Sequence, residues 1–210
     1  MTDTSQPVPN KRETAKRPVR AYGSFEVTVA GQALRFRTQP GVFSADGPDE
    51  GSLLLLDAVL PATKPHLVAL DLGTGVGLIG LSLAGLLTRG KVWLVDPDVR
   101  AVRLAEDNIR LNKVTNAHVV LGDITLDLPP KLRFDLVVSN PPTHSGKEVL
   151  ASFVDESYRV LRPGGSLYVV VNRLLSIRAM MEETFGVVDQ VARRKGFVVF
   201  RAQKPRRARN

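Results

Sequence analysis

The segment Leu70-Asp71-Leu72-Gly73-Thr74-Gly75-Val76-Gly77-Leu78-Ile79-Gly80 joins an apolar stretch of strand length to an apolar stretch of helix length through three alternating glycines. Upstream, Leu67 to Leu72 reads as a buried strand; downstream, Leu78 to Leu87 reads as a helix closed by Gly90. The alternation continues outward with a strand Val92–Val95 and an amphipathic helix Val99–Leu111 capped by Asp98. Further strands are expected at His118–Leu121 and Phe134–Val138, then a helix Lys147–Leu161 that stops at Pro163-Gly164-Gly165. A strand Leu167–Val171, a helix Ile177–Phe185 and a closing hairpin from Val187–Ala192 and Gly196–Ala202 complete this part. Before it, Phe25, Val27 and Val29 face Leu34 and Phe36 across Ala30-Gly31-Gln32 as a β-hairpin, and a short helix Gly51–Leu60 ends at Pro61.

Strands alternating with helices of ten to fifteen residues imply right-handed βαβ units. The expected fold is α/β: a Rossmann-like, seven-stranded, mostly parallel sheet with helices on both faces and an N-terminal β-hairpin extension. Ligands of such sheets lie beyond the carboxyl ends of the strands. The glycine turn, Asp96, Asp123 and Asn140 each follow a strand directly.

Composition narrows the chemistry. The 210 residues, 43% apolar and 24% charged, suffice for one domain with a full core. With no cysteine, thiolate nucleophiles and cysteine metal sites are excluded, and His66, His118 and His144 are too scattered for a histidine site. No metal is expected. No apolar run reaches membrane-spanning length and the first residues hold no apolar stretch of the signal-peptide kind, so a cytoplasmic protein without membrane contact is expected. The net charge of +8 is uneven: residues 1–20 carry +3, residues 193–210 carry +8, and residues 21–192 carry −3. Basic ends on an acidic body suit a polyanion, although they also serve solubility. The expected organisation is a disordered basic tail 1–20, a domain 21–202 and a basic tail 203–210.

Gly75, Gly77 and Gly80 satisfy G-x-G-x-x-G, with Asp96 about twenty residues on, as a dinucleotide site requires. Asp71 stands before the first glycine, where an acid repels a pyrophosphate and welcomes a cationic amine. A tight turn with no ligand would also use these glycines. After the fourth core strand comes Ser139-Asn140-Pro141-Pro142-Thr143-His144. The two prolines remove two backbone donors, so the Asn140 side-chain carbonyl and the Pro141 carbonyl form a pair of acceptors. Such a pair suits a planar exocyclic NH₂: holding both hydrogens frees the nitrogen lone pair for an electrophile, and no strong base is needed.

Asp71-x-Gly73-x-Gly75-x-Gly77 followed by Asp96 resembles the class I S-adenosylmethionine (SAM) methyltransferases. The order of Pro40-Gly41-Val42-Phe43-Ser44, Asp71 to Gly80, Asn140-Pro141-Pro142-Thr143-His144-Ser145-Gly146, Arg162-Pro163-Gly164-Gly165-Ser166-Leu167 and Val171-Asn172-Arg173 narrows this. The combination resembles the "methyltransferase small domain" group, specifically the catalytic domain of bacterial ribosomal RNA guanine-N2 methyltransferases, over about residues 25–203. The resemblance implies SAM as cofactor, held by Asp71, Gly73, Thr74, Gly75, Gly77, Asp96, Pro97, Asp123, Ile124 and Asn140. It implies catalysis by Asn140, Pro141 and Pro142, substrate contacts from Phe43, Thr143 and His144, and an RNA partner, ribosomal RNA or a ribosomal subunit.

Two departures stand out. Thr143 occupies the place where members carry an aromatic residue that stacks on the target base, an interaction worth roughly 1–3 kcal/mol. His144, Phe43 and Tyr22 are candidates to replace it; His144 could equally bond its own backbone, and Phe43 could instead be a core anchor or a lid over the cofactor. The ribosomal enzymes also pair two copies of the fold, and this length holds one, which leaves target choice to the basic tails, to dimerisation or to a different substrate. Lys147, Arg173 and Arg193-Arg194-Lys195 are candidate RNA contacts. Monomer and homodimer both remain open. The function expected is methylation of a purine exocyclic amine in RNA, guanine N2 first; the alternatives are adenine N6, a protein glutamine, or a silent RNA-binding module.

Overall fold

The computed structural model describes residues 23–43, 47–124, 127–141, 146–172 and 175–206. The expected tail 1–20 and residues 207–210 lie outside them. Among the described residues nine strands and five helices follow one another: β1 Gly23–Val29, β2 Gln32–Thr38, α1 Glu50–Val59, β3 Val68–Leu72, α2 Leu78–Leu86, β4 Lys91–Asp96, α3 Val99–Leu111, β5 Ala117–Leu121, β6 Phe134–Ser139, α4 Lys147–Val160, β7 Leu161–Asn172, α5 Leu175–Phe185, β8 Val188–Arg194 and β9 Phe197–Gln203. A 3₁₀ turn, Leu60–Ala62, ends α1.

The main sheet has the order β5-β4-β3-β6-β7-β9-β8. Its first five members run parallel, β9 is antiparallel to β7, and β8 pairs with β9 alone. The expected Rossmann-like sheet with helices on both faces is therefore present. The order in which strands are added reverses beside β3, because β4 and β5 are laid down on one side and β6 on the other. The crevice at the carboxyl ends of β3, β4 and β6 is the switch point where such sheets take ligands.

Both faces are covered, which is why the strands read as continuous apolar runs. Ala69, Val92, Leu94, Leu136, Val138 and Val170 point to α1, α2, α3 and the hairpin, while Leu70, Leu72, Val137, Leu167, Val169 and Val171 point to α4 and α5. The β1–β2 hairpin turns on Ala30 and Gly31, both at positive φ, and stands apart from the main sheet. Phe25 stacks on the buried Phe36 at 5.1 Å.

Asn108 of α3 and Asn112, the residue that caps its C-terminus, dock the free edge of β2. Asn112 accepts from Arg35 N at 2.9 Å and donates to Arg35 O at 2.7 Å. Asn108, fully buried, accepts from Arg37 N at 2.7 Å and donates to Arg37 O at 3.1 Å and to Val76 O at 2.8 Å. These side chains imitate the next strand of a sheet, and Asn108 reaches the glycine turn as well. Asn108→Ala strands three backbone groups and is expected to cost about 2 kcal/mol of stability, read as a lower urea midpoint. An unchanged midpoint would show that apolar contacts alone hold the hairpin.

Two expectations are corrected. Pro163-Gly164-Gly165 does not sit in a loop before a strand at Leu167: β7 opens at Leu161, directly after α4. The stretch is held because Gly164 N donates to Lys204 O at 2.8 Å and Lys204 N to Gly165 O at 2.9 Å, with Gly164 at φ +85°. For the same reason Gln203 and Lys204 are not tail. Gln203 belongs to β9, and the Lys204 ammonium donates to the carbonyls of Tyr158 and Leu161 at the end of α4 while lying 4.4 Å from the Tyr158 ring. No helix among the described residues is long and apolar enough to cross a membrane.

Candidate functional site

The turn after β3 is built by its three glycines. Gly73, Gly75 and Gly77 have φ of +71°, +57° and +91°, a left-handed conformation that other residues resist. Gly73 and Thr74 both donate backbone N–H to Val95 O, at 2.9 and 3.1 Å, which ties the turn to the end of β4. Space is short at Gly75, where a Cβ would lie 3.3 Å from the Phe43 Cβ. The loop holding Phe43 therefore crosses directly over the turn. Phe43 itself is 51% exposed, so it is not the core anchor that was one reading of it.

Two carboxylates stand behind this turn. Asp71 is wholly buried; its Oδ2 accepts from Thr74 Oγ1 at 2.7 Å and Gly80 N at 2.9 Å. Its Oδ1 has no partner among the described residues. Burial raises this carboxyl from 3.8 to about 7, against the lowering effect of Thr74 and Gly80. Asp71, read in the sequence as an acid that welcomes a cationic amine, is thus sealed inside and bonded to the turn it precedes. Asp96 accepts from Gly75 N and Asp98 N, each at 2.9 Å, and burial raises its pKa. Asp98 caps α3 through Arg100 N at 2.8 Å, as expected, and the Arg100 guanidinium holds its carboxyl below the usual range.

A cleft of about 130 Å³ opens at the switch point. Leu72, Gly73, Val95, Pro97, Asp123 and Ile124 form part of its wall, and Ser139, Pro141, Val149, Leu150 and Phe153 close it. Of the residues singled out in the sequence, Gly73, Pro97, Asp123, Ile124 and Pro141 thus meet around one hollow. Thr74, Gly75, Gly77 and Asp96 lie buried behind it. Pro142, Thr143, His144, Tyr22 and Arg173 lie outside the described residues.

Asn140 stands at the tip of β6, which Ser139 ties to β3 by donating to Leu72 O at 2.7 Å. Its NH₂ group donates to Asp49 Oδ1 at 2.9 Å and Ser52 Oγ at 3.1 Å, both at the start of α1. Its carbonyl oxygen, on the other edge of the planar amide, accepts nothing among the described residues. Asp49 and Ser52 were missed in the sequence. Asp49 is an N-cap, bonded to Ser52 N at 2.9 Å, and an aspartate just before the apolar run Leu53–Leu56 was a visible capping signal.

The basic residues proposed to flank the site are partly committed elsewhere. Arg194 pairs with Asp57 at 2.8 Å and Lys195 with Glu50 at 2.6 Å, which braces α1 against the β8–β9 turn. Among the described residues no cluster of three or more histidine or acidic side chains could hold a metal.

Comparison with known proteins shows the family and the fold. A family model described as methyltransferase small domain matches residues 33–201. Ribosomal RNA small subunit methyltransferase C of Escherichia coli is 32% identical over 198 residues, covering 92% of this chain and 56% of the relative. The Citrobacter koseri protein of the same name is 34% identical over 180 residues, covering 84% and 51%. The chain therefore spans about half the length of these curated relatives. Among solved structures, a T. thermophilus 16S rRNA N2 methyltransferase (RsmC), in complex with AdoMet and guanosine, superposes with a TM-score of 0.79 at 32% identity, covering 87% of this chain and 50% of that one. A ribosomal protein L11 methylase of Lactobacillus delbrueckii, at 21% identity and a TM-score of 0.66, shares the fold.

Proposed function

The chain belongs to the methyltransferase small domain family, and from that premise we propose that it methylates the exocyclic amine of a purine in RNA, guanine N2 of ribosomal RNA, with SAM as the donor. The observation that carries the proposal is the Asn140 amide: its NH₂ is held by α1, and its carbonyl, next in sequence to the cleft-wall residue Pro141, has no partner among the described residues.

The residues present fit SAM. Gly73 has open space where a side chain would stand, so a ligand can lie against bare backbone. Ile124 and Pro97 offer apolar surface for a purine ring and Asp123 an acceptor for its amino group; Asp96, buried behind the cleft wall, holds the glycine turn through Gly75 N. Asp71, sealed from the cleft, serves by fixing the turn through Thr74 and Gly80. When bound, SAM supplies an electrophilic methyl group on a sulfonium that departs as a neutral thioether.

This chain's part is positioning. The carbonyls of Asn140 and Pro141 accept the two hydrogens of the target amine, draw its lone pair out of conjugation and aim it into the cleft. Neither Pro141 nor Pro142 offers an N–H that would compete. Phe43, beside Gly75 of the glycine turn and half exposed, covers the cofactor in this reading. A base inside a duplex must be unstacked to reach the site. The basic residues at both ends of the sequence supply salt-sensitive attraction to the RNA backbone.

The test is radiolabelled methyl transfer from SAM to ribosomal subunits, stripped ribosomal RNA and transfer RNA in parallel, with mass analysis of the product nucleosides. N2-methylguanosine from a ribosomal substrate is expected. N6-methyladenosine would move the target base, and absence of S-adenosylhomocysteine binding at millimolar concentration would leave an RNA-binding module.

A further inference from the structure

We infer that Asp49 and Ser52 are positioning residues of the transfer reaction, which set the orientation of the Asn140 amide; this rests on the function proposed above. The residues that touch the target amine are one layer of the site. The amide of Asn140 is planar and nearly symmetric in shape, so nothing in its own sterics decides which edge presents oxygen and which presents NH₂. A reversed amide would offer two donors where two acceptors are required.

The start of α1 settles the choice. Asp49 Oδ1, 91 residues away in the chain, lies 2.9 Å from the Asn140 nitrogen, and Ser52 Oγ lies at 3.1 Å. A carboxylate oxygen accepts and cannot donate. Turning the amide over would bring its carbonyl against that oxygen at the same distance, with two negative ends in contact. The carboxylate is itself fixed, since the same Oδ1 accepts Ser52 N at 2.9 Å as the cap of α1. The helix is also held in place: a Cβ at Gly51 would lie 3.0 Å from the Phe197 ring, and Glu50 pairs with Lys195. The chain of supports therefore runs from β9 through α1 to Asp49, to the Asn140 NH₂, and so to the direction of the carbonyl.

Capping alone is separable from orientation. Asp49→Ser keeps an N-cap oxygen, but the shorter side chain no longer reaches residue 140, and its hydroxyl can donate. Asp49→Asn keeps a carbonyl oxygen that must face Ser52 N and so still accepts from Asn140, without the charge. The measurements are the methyl-transfer rate on an unmodified ribosomal RNA transcript, S-adenosylhomocysteine affinity, melting temperature, and hydrogen exchange of the Asn140 side-chain NH₂ by ¹⁵N NMR.

Asp49→Ser is expected to lower kcat about 30-fold with KM for SAM, S-adenosylhomocysteine affinity and melting temperature unchanged, and to accelerate exchange of the Asn140 NH₂. Asp49→Asn is expected to stay within about fivefold of the wild-type rate and to keep slow exchange. Wild-type NH₂ exchange in Asp49→Ser, or exchange in Asp49→Asn as fast as in Asp49→Ser, would overturn the inference. If the wild-type chain transfers no methyl group to the RNA, the proposed function falls, while the exchange measurement still decides whether Asp49 orients the amide.

Discussion

An Asn140→Ala chain is expected to transfer methyl groups at least about 100-fold more slowly than wild type while binding S-adenosylhomocysteine within about twofold. Alanine deletes the carbonyl that accepts from the target amine and also the NH₂ that anchors it to Asp49 and Ser52. The walls that would hold the cofactor, Gly73, Pro97, Asp123 and Ile124, remain in place. Residue 140 lies just beyond the end of β6 and is only partly buried, so truncation leaves no cavity in the sheet core. The loss should fall on kcat and on kcat/KM equally, with KM for SAM unmoved, because the missing contact acts on the reacting nitrogen. Calorimetry paired with single-turnover transfer reads both quantities. Equal loss of binding and of rate would mean that Asn140 serves the cofactor instead.

Stability should fall as pH rises from 5 to 8, by about 3 kcal/mol, and Asp71 is the cause. Its carboxyl ionises at about 7 in the folded chain and near 3.8 when exposed. Between those values the folded state holds a proton that the unfolded state has released. The stabilisation is complete below about pH 4 and is lost as pH climbs through 7. The unpartnered Oδ1 is the atom that carries this proton, since Oδ2 already accepts from Thr74 and Gly80. Asp96, also raised by burial, acts in the same direction. Asp71→Asn keeps an oxygen for Thr74 and Gly80 and places an uncharged group at the other position, so its stability curve should be much flatter over this window. Urea denaturation at pH 5, 6, 7 and 8 measures the slope for both chains. A wild-type curve that is level or rising would refute the assignment.

Features written in short-range pattern were legible in the sequence. The strands betray themselves as unbroken apolar runs because both faces of the sheet are covered, and the helix Val99–Leu111 has the bounds its amphipathic period implied. The glycine turn and the acids at strand ends could be placed because the topology demands a ligand site there. Features made by distant partners could not. Nothing in the local pattern around Asn108 and Asn112 announces that they complete the edge of a strand some seventy residues earlier. Asp49 carried a local capping signal, but only the folded chain sets it against residue 140. Pro163-Gly164-Gly165 carries the local signature of a loop, and the backbone of Lys204 overrides it by pairing on both sides. Lys204 looked like part of a charged tail, and its neighbours in sequence contain nothing to say that α4 would end beneath it.

The placement of β9 between β7 and β8 carries a consequence for how the chain is made. On the ribosome, β8 emerges before β9, the one strand it pairs with among the described residues, and β7 waits with an open edge until the same moment. The parallel half of the sheet, which would carry the cofactor turn, can form while these two strands are still unmatched. A nascent chain arrested before Phe197 would therefore leave two hydrogen-bonding edges exposed, each a template for the wrong partner.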